Sequence, residues 1–169
     1  CLGGRTGHKD LHKLCGWKYA HRGLHNAERP ENSMAAFRAA LEHGYGIELD
    51  IHLMKDGNLA VIHDSTLKRV AGADVNIEDL TTEDLKNYHL EGTQETIPTF
   101  RELLELYGGK APLIIELKAE RGNHAALAEA ACKADSALMK GLNTYNGHLT
   151  FQAVADAQGL PYTDPTTLL

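Results

Sequence analysis

Gly46-Ile47-Glu48-Leu49-Asp50-Ile51-His52 is the stretch on which the reading of this chain turns. Apolar Ile47, Leu49 and Ile51 alternate with ionisable Glu48, Asp50 and His52. Side chains of a strand point to opposite faces with a period of two. The spacing therefore predicts a strand over 46–53 with one greasy face and one face of two acids and an imidazole. So apolar a run looks buried, and charge on a buried strand is costly unless it is paired or bound to a metal. The plainer alternative is an edge strand with one wet face. Neighbouring segments bear on the choice, because the pattern recurs in them.

Residues 17–20 form a short predicted strand that leads to His21, with Arg22 next. Residues 59–63 form another, ending in His63 before Asp64. In 112–118 the order Leu113-Ile114-Ile115-Glu116-Leu117-Lys118 puts Glu116 and Lys118 on one face and Leu113, Ile115 and Leu117 on the other. Every predicted strand thus delivers ionisable residues at or near its C-terminal end, where barrel enzymes and open α/β sheets hold their sites.

Helical spacing fills the intervals. Met34, Phe37, Ala40 and Leu41 predict a helix over 31–43, ended by Gly44 and Gly46. Thr81 or Thr82 caps a predicted helix at 82–88. Residues 97–99 cap another at 100–107, closed by Gly108-Gly109, and a further helix is expected at 123–134. Strands alternating with helices argue for an α/β layer fold. The turn Lys55-Asp56-Gly57-Asn58 is too short for a crossover helix. The second and third strands are therefore antiparallel, or the chain returns as bare loop. Residues 64–94 read as a polar excursion, and 1–16 as a flexible arm. Leu2-Gly3-Gly4-Arg5-Thr6-Gly7 follows no strand, which argues against a phosphate loop. Beyond 134 the character changes: a weak helical turn at 136–139, turn residues at 143–147, and a helix at 151–158 capped by Thr150.

The 169 residues suit one domain with a real core, and 43% hydrophobic content is ordinary for a globular chain. A formal net charge of −6 argues against nucleic acid as partner. No apolar run reaches the about 20 residues that span a bilayer. Cys1, Cys15 and Cys132 are scattered and form no CxxC pair, so neither a zinc knuckle nor a disulfide scaffold is expected. A reducing, cytoplasmic setting fits them best, although a chain starting at Cys1 leaves room for a removed anchor or signal.

Glu48, Asp50 and Glu116 make a three-carboxylate set whose hard oxygens suit one divalent cation, Ca²⁺, Mg²⁺ or Mn²⁺. The competing account is an ion-pair network with Arg22 and Lys118, weakly stabilising at best when buried. His21 and His63 read as an acid–base pair, since imidazole titrates near neutrality. Arg22 and Lys118 are cationic donors for an anion, and a guanidinium grips phosphate bidentately. A cation, two basic side chains and two histidines make a sensible site for a phosphodiester. Asn32 either helps orient the ligands or supports the start of the helix. His52 shares the polar face as the least secure member, and His25, His43, His89 and His124 are expected at the surface.

In order, Ala20-His21-Arg22-Gly23, Pro30-Glu31-Asn32-Ser33, Glu48-Leu49-Asp50, Lys55-Asp56-Gly57, Val61-Ile62-His63-Asp64 and Ile115-Glu116-Leu117-Lys118 resemble the glycerophosphodiester phosphodiesterase family over about residues 17–133. The resemblance implies a metal-dependent TIM-barrel enzyme that hydrolyses a glycerophosphodiester to glycerol phosphate and an alcohol. It implies His21 and His63 as general acid and base, Glu48, Asp50 and Glu116 as metal ligands, and Arg22 and Lys118 as phosphate contacts. Phosphatidylinositol phospholipases C and spider-type sphingomyelinases D match these segments less well.

A full barrel needs roughly 200 residues or more. The expected fold is α/β, half of a TIM-type barrel with four strands over 17–134, followed by an unrelated helical tail at 135–169. Residues 137–148 and 153–162 resemble the C-terminal end of bacterial alanine dehydrogenase, without any nucleotide-binding fingerprint. Half a barrel leaves sheet edges and an apolar face open, so a homo-oligomer that completes the barrel is expected. The substrate expected is a small phosphodiester. The competing functions are a catalytically idle metal- or anion-binding remnant and an oligomerising interaction protein.

Overall fold

The computed structural model describes residues 16–138. Its centre is the strand β2 (Gly46–Leu53), to which β1 (Tyr19–His21), β3 (Leu59–Val61) and β4 (Leu113–Leu117) all pair. β1 and β4 run parallel to β2, and β3 runs antiparallel. The short 55–58 turn is thus a hairpin connection, as its length permits.

The backbone bonds of β2 show how three strands share two edges. Successive residues of a strand direct their N–H and C=O to opposite sides. Even-numbered positions face β1 and then β3. Gly46 N–H donates to Lys18 O (2.9 Å), Glu48 O accepts from Arg22 N–H (2.8 Å), and Asp50 O accepts from Ile62 N–H (3.1 Å). Odd-numbered positions face β4: Ile47 N–H donates to Pro112 O (3.2 Å), and Ile51 O accepts from Lys118 N–H (3.0 Å). β1 and β3 therefore lie end to end along one edge, with β4 along the other. β2 is central, and Asp50 and His52 are each only 1% exposed, so the edge-strand alternative fails.

Ile47, Leu49 and Ile51 are fully buried against α1 (Met34–Glu42), α3 (Phe100–Tyr107) and α4 (His124–Leu138), with Phe37, Phe100, Leu103, Leu127 and Ala131. α1 begins at Met34, later than expected. Asn32 sits at φ 53°, outside the helical region, and the Ser33 hydroxyl accepts from Ala36 N–H. α3 matches its expected bounds. Thr99 Oγ1 accepts from Glu102 N–H, and the Glu102 carboxylate accepts from Thr99 N–H, a closed capping box.

Gly46 is required by packing. A Cβ there would lie 2.7 Å from the Tyr19 ring and 2.8 Å from Pro112 O, where β1 and β4 converge on β2.

The excursion after Asp64 has its own apolar centre. Met54, Ile62, Leu67, Val70, Ile77, Leu80, Leu85, Leu90 and Ile97 cluster beneath α2 (Lys68–Ala71) and single 3₁₀ turns. The helix expected at 82–88 is one such turn, Asp84–Asn87. Here the Asp84 carboxylate accepts from both the N–H and hydroxyl of Thr81, and the turn has no side-chain cap of its own. The helical turn expected at 136–139 is, over 136–138, a continuation of α4, which runs unbroken from His124 to Leu138, and residue 139 lies outside the described residues. Residues 1–15, the turn at 143–147 and the helix expected at 151–158 lie outside the described residues. Among the described residues no helix is long and apolar enough to cross a membrane.

Candidate active site

Parallel pairing of β2 with β4 aligns Asp50 directly with Glu116, and pairing with β1 aligns Glu48 with His21. Two strand registers thus deliver the acids to one place. One carboxylate oxygen from each of Glu48, Asp50 and Glu116 lies within 4.8 Å of the other two.

Asp50 is the acute case. Its carboxylate is buried, and neither oxygen makes a hydrogen bond. Lys118 Nζ lies 3.3 Å from Oδ1 and Arg22 Nε 3.6 Å from Oδ2, both as ion pairs. The ion-pair network anticipated as the competing account is present, yet it leaves this buried acid unsatisfied. A carboxylate in that state costs heavily unless another partner arrives. Burial pushes Asp50 up, and neither Lys118 nor His63 cancels it. Burial and then the neighbouring Asp50 charge push Glu48 up as well. Burial also acts on Glu116, but the Lys118 ammonium, 2.7 Å away, outweighs it and holds the acid down. Acids crowded and desolvated in this way fit a hard divalent cation, which would relieve both the burial and the repulsion.

His21 stands at the rim, its side chain 67% exposed, with Nε2 3.7 Å from Glu48 Oε2. Arg22 holds φ 55° and Gly23 φ 83°, and a Cβ on Gly23 would meet Ala36 Cβ at 2.8 Å. This left-handed corner turns the chain off β1 toward α1. Strain of this kind costs about 1–3 kcal/mol at a non-glycine residue and gathers at functional sites. Arg22 O accepts from Asn32 N–H at 2.9 Å, which pins the corner to the start of α1. Arg22 Nη1 donates to Glu31 Oε1 at 3.1 Å. The Asn32 side chain is buried, and neither its amide nitrogen nor its oxygen has a hydrogen-bond partner.

His63 is partly exposed, with Nδ1 2.7 Å from Asp64 Oδ1. Asp64 also accepts from Arg69 Nε, and that bond, reinforced by His63, depresses its pKa to about 2. Asp64 is therefore ionised and can only accept, so Nδ1 of His63 carries the hydrogen. Nε2 is left for chemistry.

His52 takes no part in the acidic cluster. Its Nδ1 lies 2.7 Å from Glu78 Oε1 and its Nε2 3.1 Å from the His63 carbonyl oxygen, so neither nitrogen is free for a cation. His25, His43, His89 and His124 are exposed, as expected. Glu48 and Asp50 lie within β2 and Glu116 near the end of β4, whereas His21, Arg22, His63 and Lys118 lie at or just beyond strand ends; short contacts join all but His63, whose side chain meets Asp64. Sequence reasoning missed Arg69 and Glu78, and it saw Glu31 only as a helix start. None of these belongs to a periodic segment, so only their separate contacts in the fold reveal them.

Residues 21–155 match the glycerophosphoryl diester phosphodiesterase family. The chain belongs to this family. The match includes each residue placed above and extends beyond the expected boundary at 134. A glycerophosphodiester phosphodiesterase from Caldanaerobacter subterraneus is 43% identical over 107 residues, covering 59% of this chain and 44% of that protein. A human lysophospholipase D is 37% identical over 112 residues, covering 59% of this chain and 35% of its own length. The chain thus spans about half the length, or less, of the curated relatives it matches. Among solved structures, an Oleispira antarctica phosphodiesterase in complex with the product sn-glycerol-3-phosphate superimposes with a TM-score of 0.65 at 26% identity, over 82% of this chain and 62% of that one. A Thermotoga maritima glycerophosphodiester phosphodiesterase gives 0.57 at 32% identity, over 84% and 70%. The fold class expected from the sequence, part of a TIM-type barrel, is that of these family members. No comparison bears out a resemblance of the tail to alanine dehydrogenase.

Proposed function

We propose that this chain hydrolyses small glycerophosphodiesters to glycerol phosphate and an alcohol, with one divalent cation held by Glu48, Asp50 and Glu116. The observation that carries this reading is the Asp50 carboxylate, buried and ion-paired but with neither oxygen hydrogen-bonded, beside two further acids. The all-oxygen donor set favours Ca²⁺, Mg²⁺ or Mn²⁺ over zinc. Such a cation would neutralise charge on the phosphoryl oxygens.

The remaining work falls to the chain's own residues. Arg22 and Lys118 bind the phosphate; both already face the acidic cluster. His63, with Nδ1–H engaged by Asp64, offers Nε2 as base toward the attacking water. His21, exposed at the rim beside Glu48, gives a proton to the departing alkoxide. Asn32, with its unsatisfied buried amide, is a candidate to orient the ligands rather than only to support the start of α1.

The test is hydrolysis of bis(p-nitrophenyl) phosphate, with and without EDTA. Turnover that EDTA and Glu48→Ala both abolish supports the reading. Turnover that survives both removes the metal, and full turnover in His21→Ala removes the acid–base pair. The competing reading is an idle cation-binding protein that holds the ion at the same acids. Cation-induced thermal stabilisation without turnover would select it.

A homo-oligomer in which a second copy completes the barrel belongs to the same proposal. Light scattering tests it, and a well-folded monomer overturns it. The scattered cysteines support a reducing, cytoplasmic setting. The division into an arm at 1–16, a half-barrel at 17–134 and a tail of separate origin at 135–169 also stands as a proposal.

A further inference from the structure

Arg69 holds two carboxylates at once. Its Nε donates to Asp64 Oδ2 and its Nη2 to Glu31 Oε1, both at 2.6 Å. The other oxygen of Asp64 receives His63 Nδ1 at 2.7 Å. The same Glu31 oxygen receives Arg22 Nη1 at 3.1 Å. One guanidinium on α2 therefore stands two contacts away from each of two residues that approach the site from different strands.

We propose that Arg69 is a positioning residue, which fixes His63 and Arg22 relative to one another through Asp64 and Glu31. The inference rests on the reading of His63 as base and Arg22 as phosphate ligand. Arg69 Nε anchors one oxygen of Asp64, so the other stays directed at His63 Nδ1, which holds the hydrogen there and leaves the lone pair at Nε2. Through Glu31 it steadies the Arg22 side chain, whose own backbone is strained at φ 55°. Glu31 is held down despite its burial by Arg69 and Arg22 together, so it too stays a pure acceptor.

The geometry is specific to arginine. A rigid planar fork reaches two carboxylates along fixed directions, whereas a lysine ammonium is a point charge on a flexible stem. Stability is not the main effect. The Arg69 side chain is 46% exposed, and ion pairs at such exposure add little to folding. Removing it should leave the fold in place while releasing His63 and Arg22.

Arg69→Ala and Arg69→Lys test this by histidine ring ¹⁵N NMR and by kinetics on bis(p-nitrophenyl) phosphate with a divalent cation. Expected in the unaltered protein is His63 with its hydrogen on Nδ1 when neutral. Arg69→Ala should give a mixture of the two tautomers, with kcat down about tenfold or more and KM raised. Arg69→Lys should fall between. In a His63→Ala background, Arg69→Ala should lose most of its effect on kcat, because the group it orients is gone. An unchanged His63 tautomer with unchanged kcat overturns the proposal, and so does an equal kcat loss with and without His63. Should Arg69→Ala fail to fold, Arg69→Lys carries the same readouts. A protein that hydrolyses nothing removes the catalytic reading, while the NMR measurement still decides whether Arg69 orients His63.

Discussion

Two regions of this molecule are built on opposite plans. The sheet layer, from β1 through α1 to β2 and from α3 to α4, is regular, and its buried residues recur with periods of two and 3.6. The excursion between His63 and Ile97 is a chain of 3₁₀ turns and one short helix around a separate apolar cluster. The first region carries the acids, with Arg22 and Lys118. The second supplies Asp64 and Arg69, which set the orientation of His63, and Glu78, which holds His52. Regular structure aims charged groups by register, and irregular structure then braces them through side-chain bonds.

That difference can be broken first in the cores. Phe100→Ala, in the sheet layer, should cost about 3–5 kcal/mol and lower the denaturant midpoint of the whole fold. Leu85→Ala, in the excursion, should cost about 2 kcal/mol and show faster amide exchange confined to residues 64–97. Equal global loss in both variants would mean that the two regions unfold as one.

The next largest effect concerns the acids of the sheet layer. At a hundredfold excess over its dissociation constant, Ca²⁺ or Mn²⁺ should stabilise the protein by about 2.7 kcal/mol, seen as a rise in Tm. Asp50→Asn should abolish that rise and stabilise the cation-free protein, because it removes a buried, unsatisfied charge. A Tm rise that Asp50→Asn leaves intact would remove Asp50 from the cation site.

Where the two regions meet, Thr99 pairs across to Ala60 and begins α3. Thr99→Ala opens the capping box and should cost about 1 kcal/mol, read from the urea midpoint.

The smallest effect is one of pH, and the two regions contribute with opposite sign. Asp64 has a folded pKa of about 2 against 3.8 for the free side chain. Its contribution is complete above pH 4 and drains away as the pH falls toward 2. Glu48 and Asp50 are raised in the fold, so their contribution is complete at low pH and is lost as the pH rises through their folded values. Asp64→Asn should flatten the acid limb of the stability curve, and saturating cation should flatten the loss on the rising side. A curve unchanged by Asp64→Asn would mean that the Arg69 contact adds nothing to folding.

Alternation in 46–53 was enough to place Glu48, Asp50 and His52 on one side of a strand, because the period of two is a property of the backbone itself. The same reasoning located Glu116 and Lys118, and the α3 cap was legible in residues 97–99, though the reciprocal bond from Glu102 was not. It misjudged 82–88, where the Thr81 hydroxyl donates to Asp84 instead of capping and the chain makes a single 3₁₀ turn. It grouped His52 with the acids by face, and only the fold shows that both ring nitrogens are already engaged.

Residue order thus dictated which side chains are charged, which strands carry them and which faces they occupy, since these follow from chemistry repeated along one dimension. Which acids stand together, and which arginine braces which histidine, depended on pairing between segments tens of residues apart. Arg69 lies 38 residues from Glu31 in the chain and 2.6 Å from it in space. A contact of that kind leaves no local trace, because the energy that forms it belongs to the packed excursion and not to the residues that touch.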